Sequence, residues 1–442
     1  MRISVIGCGY LGAVHAAALA SLGHDVIGVD SDGDKIALLE TGAAPFFEPG
    51  LEPLLVQGLA SGRLRFRRRL EEAAAAEVHF VTVGTPQRPD GSADLSAVEA
   101  VVAGLAGVIR TGALVVGKST VPVGTAARLA DVIVAAGGRL AWNPEFLREG
   151  LAVQDSLHPD RLVYGLAEGD ASSEEVLDAV YAEVLREGMP KVVTDLATAE
   201  LVKVSANAFL ATKISFINAM AEIAEATGAD VTQLADAIGV DARIGRRFLG
   251  AGVGFGGGCL PKDIRGFVAR AEELGTGRSV AFLREIDAIN LRRRERVVEL
   301  ARESLGGSLA GRRIAALGLA FKPDSDDVRD SPALAVAGML ADAGARVVAH
   351  DPAAVDTARL RRPDLDYTRD LGQALVGAEA VVVLTEWGSY RELDPTEAGS
   401  VVAGRRLVDA RNCLDREAWA AAGWEVRSPG RPARLPLVAR AG

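Results

Sequence analysis

Lysine is scarce in this 442-residue chain: seven of its 49 basic residues, at positions 35, 118, 191, 203, 213, 262 and 322. Arginine serves wherever a generic positive charge is enough, so the retained lysines mark places needing a compact ammonium on a flexible stem. Cysteine is scarcer still. Cys8, Cys259 and Cys413 are odd in number and far apart, which excludes a disulfide framework and fits a reducing compartment. The five histidines show no metal-ligand spacing, and no metal, zinc included, is expected. There is no long basic run, and the net charge is −10, so a nucleic-acid partner is not expected. The cluster Arg63 to Arg69 is short and reads as a solvated loop or a strand edge. No apolar run reaches the length of a membrane span, and the first residues enter a strand pattern at once, so no membrane association and a cytoplasmic location are expected.

What is present is the composition of an ordered globular protein, 49% hydrophobic and 24% charged, long enough for two or three domains. The first half alternates short β runs with helical segments, as a doubly wound parallel sheet does. Strands are predicted near 3–6, 25–29, 78–83, 114–118, 139–142 and 161–165, with helices over 12–22 and 95–109. Residues 195–227 contain no Gly or Pro and predict one helix of about 50 Å at 1.5 Å per residue. Its apolar content predicts burial between domains or subunits. After Arg292-Arg293-Arg294 the alternation resumes, with strands at 314–319, 346–349, 380–384 and 406–408 and a helix at 332–343. The halves echo each other: Leu22-Gly23-His24-Asp25-Val26 ending at Asp30 resembles Ala343-Gly344-Ala345-Arg346-Val347 ending at Asp351. The expected architecture is α/β: two Rossmann-like domains, 1–194 and 296–442, joined by a helical middle, 195–295, with a long central helix. The tail after Pro429 has little periodicity and is expected to fray.

Gly7-Cys8-Gly9-Tyr10-Leu11-Gly12 follows a strand and opens a helix. Its glycines permit a tight turn and close approach of a pyrophosphate to the helix N-terminus. Asp30 ends the next strand, where a carboxylate binds ribose hydroxyls and repels a 2′-phosphate, which predicts NAD rather than NADP. Cys8 reads as filler in the turn. Ligands of open parallel sheets sit beyond the carboxyl ends of the strands. That rule selects Thr85, Thr120, Glu145 and Glu149, in three polar or proline-containing turns.

Gly254-Phe255-Gly256-Gly257-Gly258-Cys259-Leu260-Pro261-Lys262-Asp263 carries the strongest chemical signal. Its glycines lose much backbone entropy on folding, which implies that a ligand approaches the loop closely. Cys259 reads as an accessible nucleophile, with Lys262 favouring its thiolate and Asp263 a base for water. Lys203 and Asn207 lie one helical turn apart and suit an alkoxide or tetrahedral oxyanion; the alternative is a salt bridge and a helix-bending Asn.

Together with Ser119-Thr120-Val121-Pro122-Val123-Gly124-Thr125, Asn143 to Gly150, Lys203 to Asn218 and Gly318 to Pro323 with Asp326-Asp327-Val328-Arg329, these segments resemble the UDP-glucose/GDP-mannose dehydrogenase family along nearly the whole chain. The resemblance implies NAD-dependent four-electron oxidation of a sugar CH2OH group to a carboxylate, through thiohemiacetal and thioester intermediates. Carried over, Cys259 is the nucleophile, Lys203 and Asn207 stabilise oxyanions, Asp263 helps to activate water, and Thr120 and Glu145 position water and substrate. NAD would be met by Gly7, Gly9, Leu11, Gly12, Asp30, Lys35, Thr85, Thr120, Glu149, Lys262 and Arg329. The substrate would be met by Glu145 to Glu149 (Phe146, Leu147 and Arg148 included), Lys203, Asn207, Phe248, Leu249, Gly250, Ala251, Gly252, Gly256 and Lys322. A homodimer through the long helix is implied, with Arg243 reaching the partner's substrate. Gly258 and Leu260 depart from the serine and phenylalanine common in the family. Glu149-Gly150 and the segment from Asp155 to Arg161 favour the UDP-glucose branch; GDP-mannose and UDP-N-acetylhexosamine are the alternatives within the family, and a catalytically silent nucleotide-sugar sensor is the alternative outside enzymes.

Overall fold

The computed structural model describes residues 1–436. The chain divides into two compact units, Met1–Ala206 with Arg265–Arg278, and Asn207–Ile264 with the residues from Ser279 onward. The first is built on eight strands: β1 Arg2–Ile6, β2 Asp25–Val29, β3 Leu64–Arg67, β4 Val78–Val81, β5 Leu114–Gly117, β6 Arg139–Trp142, β7 Leu162–Leu166 and β8 Lys191–Asp195. Their order is β3-β2-β1-β4-β5-β6-β7-β8. The second carries β9 Arg313–Leu317, β10 Arg346–His350, β11 Asp366–Thr368, β12 Ala380–Val383, β13 Arg406–Asp409, β14 Glu425–Ser428 and β15 Arg431–Arg434, in the order β11-β10-β9-β12-β13-β14-β15. Each sheet winds outward both ways from its first strand, the Rossmann-like arrangement expected. The central strands β4, β5 and β12 are buried along their whole length, which is why β5 and β12 read as continuous apolar runs and β4 as one broken only by His79.

Neither sheet is wholly parallel. β7 meets β6 antiparallel through Trp142 and Gly165, and β15 runs antiparallel to β14. The tail expected to fray is therefore ordered over Arg431–Arg434, because β14 gives it a ladder and the edge tolerates Pro432. Residues 437–442 lie outside the described part of the chain. The cluster Arg63 to Arg69 contains β3, an edge strand whose Leu64 and Phe66 are buried between exposed arginines.

The repeat noticed in the sequence is a structural one. Gly7 (φ +95°) and Gly318 (φ +112°) end the first strands of their sheets. A Cβ at either would lie about 2.5 Å from the next strand's connection: 2.6 Å from Val83 Cγ1 and 2.5 Å from Thr385 Cβ. Asp30 and Asp351 follow the second strands, and each accepts from the glycine turn, Asp30 from Cys8 N at 2.8 Å and Asp351 from Leu319 N at 2.7 Å. Their fates then differ. Asp351 is fully buried and also accepts from Ala320, Ala353, Ala354 and the Trp387 indole. The Asp30 side chain keeps 11% exposure.

The long helix is continuous over Leu196–Thr227. Ala199, Val204, Ala211, Ile217, Ala221 and Ala224 are buried, whereas Leu201, Phe209, Phe216 and Ile223 are 42–67% exposed. The face not buried within the chain carries Phe209, Phe216 and Ile223 at seven-residue intervals. The helix Phe282–Ser304 runs through residue 296, where the C-terminal domain was expected to begin. Its Arg293 is 1% exposed and pairs with Glu225 at 3.2 Å.

Candidate functional site

In the first unit the expected cofactor residues gather at the carboxyl ends of β1, β2 and β4. Gly7 makes the turn, and Gly12 lies against it so closely that a Cβ would sit 1.8 Å from Gly7 O. At Gly9, the N-cap of the helix Tyr10–Ser21, a Cβ would meet nothing within 4 Å, and no side chain caps that helix. Open space in front of uncapped amides is what a pyrophosphate requires, so these residues fit a dinucleotide. Leu11 is half-buried beside it. Cys8 is fully buried, and burial followed by the Asp30 charge pushes its thiol up to about 12, consistent with filler. Asp30 is not a lone carboxylate: Lys35 Nζ donates to its Oδ2 at 2.9 Å, and Asp32 N donates to its Oδ1 at 3.0 Å.

The three turns at the sheet edge are bonded to one another. Thr85 Oγ1 donates to Thr120 O at 2.8 Å, and Ser119 Oγ donates to Val83 O at 2.7 Å. Lys118, just before Thr120, donates from its buried ammonium to Asn143 Oδ1 at 2.9 Å. Glu145 closes the third turn. Its Oε2 accepts from Leu147 N at 2.6 Å, and its Oε1 pairs with Lys203 Nζ at 2.8 Å. Burial pushes this carboxyl up, but Lys203, the Leu147 amide and Lys118 together outweigh burial and hold it below the usual range. Phe146 lies under the Arg161 guanidinium at 3.7 Å. Arg148 is bidentate with Asp155, through Nε at 2.9 Å and Nη2 at 2.5 Å, so its head serves the chain itself. Glu149 is half-buried.

Two carboxylates here gave no signal in the sequence. Glu48, 6% exposed, accepts from Gly150 N at 2.6 Å, from Ala152 N at 2.8 Å and from the Tyr10 hydroxyl. It thereby ties the glycine turn to the segment after Glu149. Glu200, 2% exposed, accepts from Gly124 N at 2.7 Å and Ala126 N at 2.6 Å, capping the helix Thr125–Ala135 from the long helix. Nearby, a cleft of about 220 Å³ is lined by Arg88, Leu95, Pro122, Thr125, Arg128 and Arg270 among others. Its arginines pair with Asp94, Glu99 and Glu273, which leaves little field for an anion.

In the second unit Cys259 is exposed, immediately before the helix Leu260–Glu273. Asp263, one turn on and 5% exposed, accepts from Asn207 Nδ2 at 2.6 Å and from Lys262 Nζ at 2.5 Å. Asn207 thus reaches a carboxylate, while Lys203 does make the salt bridge held open as the alternative. The loop's glycines are also required by the chain's own packing. A Cβ at Gly254 would meet Asn290 Oδ1 at 2.3 Å, at Gly256 Asp330 O at 2.4 Å, at Gly257 the Phe321 ring at 2.8 Å, and at Gly258 the Arg329 guanidinium at 2.3 Å. The loop lies against the chain's own residues, so its glycine density is in large part a packing requirement.

Asn290, fully buried, clasps Phe255 through both backbone groups, at 2.7 and 2.9 Å. Arg411 donates to Gly254 O at 3.1 Å and Phe321 O at 2.8 Å. Arg329 itself forks onto Asp327, with Nη2 to Oδ2 at 2.7 Å, and Lys322 Nζ lies 5.3 Å from the Phe321 ring centre. Among the expected substrate residues, Leu249 and Ala251 are buried, Gly250 is exposed, and Gly252 N donates to Asn218 Oδ1 at 2.9 Å. Phe248 is 40% exposed with left-handed backbone (φ +65°). The other non-glycine residues with that conformation among those described are Asp324, Asp330 and Asn412; Asp330 packs on Gly256 and Asn412 donates to Ala251 O. Backbone strain is thus concentrated around the loop that presents Cys259. Arg243 is 89% exposed at its side chain and held by Asp241 at 2.6 Å.

No helix among the described residues is long and apolar enough to cross a membrane. The N-terminal residues 1–185 match the NAD binding domain of the UDP-glucose/GDP-mannose dehydrogenase family, residues 197–292 its central domain, and residues 315–416 its UDP binding domain. A UDP-glucose 6-dehydrogenase from Rhizobium meliloti is 43% identical over 98% of this chain and 100% of its own length. The solved structure of a UDP-glucose dehydrogenase from Pyrobaculum islandicum superposes with a TM-score of 0.87 at 42% identity, covering 94% of this chain and 95% of that one. A GDP-mannose dehydrogenase from Pseudomonas aeruginosa gives 0.53 at 31% identity, with 94% and 98% covered. NAD is the cofactor of this oxidoreductase, and the chain belongs to the UDP-glucose/GDP-mannose dehydrogenase family.

Proposed function

We propose that this enzyme oxidises the CH2OH carbon of UDP-glucose to the carboxylate of UDP-glucuronate, with two NAD consumed per sugar and no aldehyde released. The observation that carries the reading is Cys259, exposed at the start of a helix one turn before an Asp263 held by Asn207 and Lys262. Bound NAD supplies the hydride acceptor for both oxidations. The Cys259 thiolate adds to the aldehyde carbon and forms the C–S bond of a thiohemiacetal, which the second oxidation converts to a thioester. Asp263 takes a proton as water adds to the thioester, and the C–S bond breaks to return the thiol and release the acid. Lys203 and Asn207 hold the oxyanions; Thr120 and Glu145 place water and substrate. Glu149, Lys262 and Arg329 join the glycine turn, Asp30, Lys35 and Thr85 on NAD, and the residues from Phe248 to Gly252, Gly256 and Lys322 hold the nucleotide sugar.

UDP-glucose is favoured by the relatives named for it and by the Glu149-Gly150 sequence. The exposed Phe209, Phe216 and Ile223 support a homodimer through the long helix, with Arg243 extending to the partner's substrate. The division into cofactor (1–194), helical (195–295) and nucleotide-sugar (296–442) parts is supported by the spans of the three family domains. The deciding experiment counts NADH formed per UDP-glucose consumed, with GDP-mannose and a UDP-N-acetylhexosamine assayed alongside. Two NADH from UDP-glucose, and no acid from Cys259→Ala despite retained NAD binding, is the expected result. Faster turnover of either other sugar overturns the substrate, near-normal acid from Cys259→Ala overturns the thioester, and no NADH from any sugar leaves a silent sensor.

A further inference from the structure

Lys118 is one of the scarce lysines, and the reading above gives it no task. It directly follows β5, is 7% exposed, and donates to two neutral groups, Asn143 Oδ1 at 2.9 Å and Tyr181 OH at 3.5 Å. Tyr181 OH also donates to Asn143 Oδ1 at 2.7 Å, and Asn143 is pinned further by Nδ2 to Val163 O at 2.9 Å and by its own N–H to Gly117 O at 2.8 Å. Burying an ammonium against neutral partners is expensive, and a methionine there would leave a better core. Burial pulls this ammonium down to about 8, Glu145 supports it and Lys203 opposes it, so it still carries its charge at neutral pH.

The charged and titratable groups around it are few. Tyr181 is kept neutral by burial, and so is His15, whose pKa burial and then Lys118 hold well below the usual range. Lys203 is the second cation, and Glu145 is the anion that both cations act upon. Two ammonium groups therefore serve one buried carboxylate. Lys203 touches it at 2.8 Å, while Lys118 grips the residue two before it.

We propose that Lys118 is a positioning residue for Glu145: it fixes the Asn143–Glu145 turn and keeps Glu145 ionised when Lys203 turns its ammonium from that carboxylate to a substrate oxyanion. The inference rests on the roles given above to Glu145 and Lys203. Without Lys118, a Glu145 whose nearest cation is shared with the substrate takes up a proton at higher pH, because burial favours its neutral form.

The test is the pH dependence of kcat for UDP-glucose oxidation, read with the melting temperature, in Lys118→Met, Lys118→Gln and Lys118→Arg. Gln retains a donor for Asn143 without the charge; Arg retains the charge. Met and Gln are expected to move the acid limb of kcat upward by about one pH unit, about tenfold in rate on the acid side, while the melting temperature holds or rises. Arg is expected to leave the limb in place. A limb unmoved in Met and Gln overturns the proposal, as does loss of folding in both, which would make Lys118 a structural residue. The underlying reading is checked separately: if Glu145→Gln leaves kcat intact, the role of Glu145 is wrong, whereas a Glu145→Gln collapse with an unmoved limb in Lys118→Met refutes Lys118 alone.

Discussion

Glu200 supplies a prediction whose size can be worked from the structure. Its carboxyl is 2% exposed, and burial raises it to about 7 from 4.5, against the pull of the Ala126 and Gly124 amides and of Arg270. A folded-state pKa above the unfolded value means that the folded chain binds the proton more tightly. The resulting stability is complete below about pH 4.5 and is lost as pH rises to about 7. The span of 2.5 pKa units, 7 less 4.5, corresponds to about 3 kcal/mol at 1.36 kcal/mol per unit. In a unit of this size that is roughly 6–12 °C of melting temperature.

Glu200→Gln removes the titration and mimics the protonated form. It gives up one charge-assisted acceptor, since Gly124 and Ala126 use different carboxylate oxygens, a loss of about 1.5–3 kcal/mol at pH 8. That loss is offset there by the ionisation penalty the variant no longer bears. Thermal unfolding of both proteins from pH 4.5 to 8 checks this. The melting temperature of the parent, taken relative to the variant, should fall steadily between pH 4.5 and 7 and then level off. A difference independent of pH, or one rising with pH, refutes the claim that burial outweighs the two amide bonds at Glu200.

NAD should be preferred over NADP by at least roughly tenfold in kcat/KM, about 1.4 kcal/mol, on the proposed placement of Asp30 against the cofactor ribose. The preference should widen in Lys35→Ala, which strips the ammonium 2.9 Å from that carboxylate; equal kcat/KM in the parent refutes it. Phe209→Asp with Phe216→Asp should convert the proposed dimer to monomer in sedimentation velocity at micromolar concentration, since the two rings are 67% and 47% exposed on one helix. An unchanged dimer places the interface elsewhere.

What the sequence disclosed was local, and what it hid was long-range. The glycine turn, the acidic end of β2 and the helix from Leu196 are each set by residues adjacent in the chain, so spacing alone reveals them. β8 escaped because its side chains are largely exposed, leaving no alternation to read, whereas β3 reads as either a solvated loop or a strand edge because only Leu64 and Phe66 alternate with its arginines. The residues that hold the functional loops were invisible for a different reason. Glu48 acts across 102 residues on Gly150, Glu200 across 76 on Gly124, Asn290 across 35 on Phe255 and Arg411 across 157 on Gly254. Each is a buried or half-buried polar group bonded to distant backbone, and such a group has no periodic signature; it is known only by the partner that the fold brings to it. The Gly254–Gly258 loop was only half legible on the same account. Glycine density announced a close approach, but whether the approaching atoms belong to a ligand or to Asn290, Asp330, Phe321 and Arg329 depends on contacts far apart in the chain. Lys118 lies between these cases. Its rarity as a lysine made it visible, and only its burial against Asn143 and Tyr181, beside a carboxylate already paired with Lys203, gives that visibility a physical meaning.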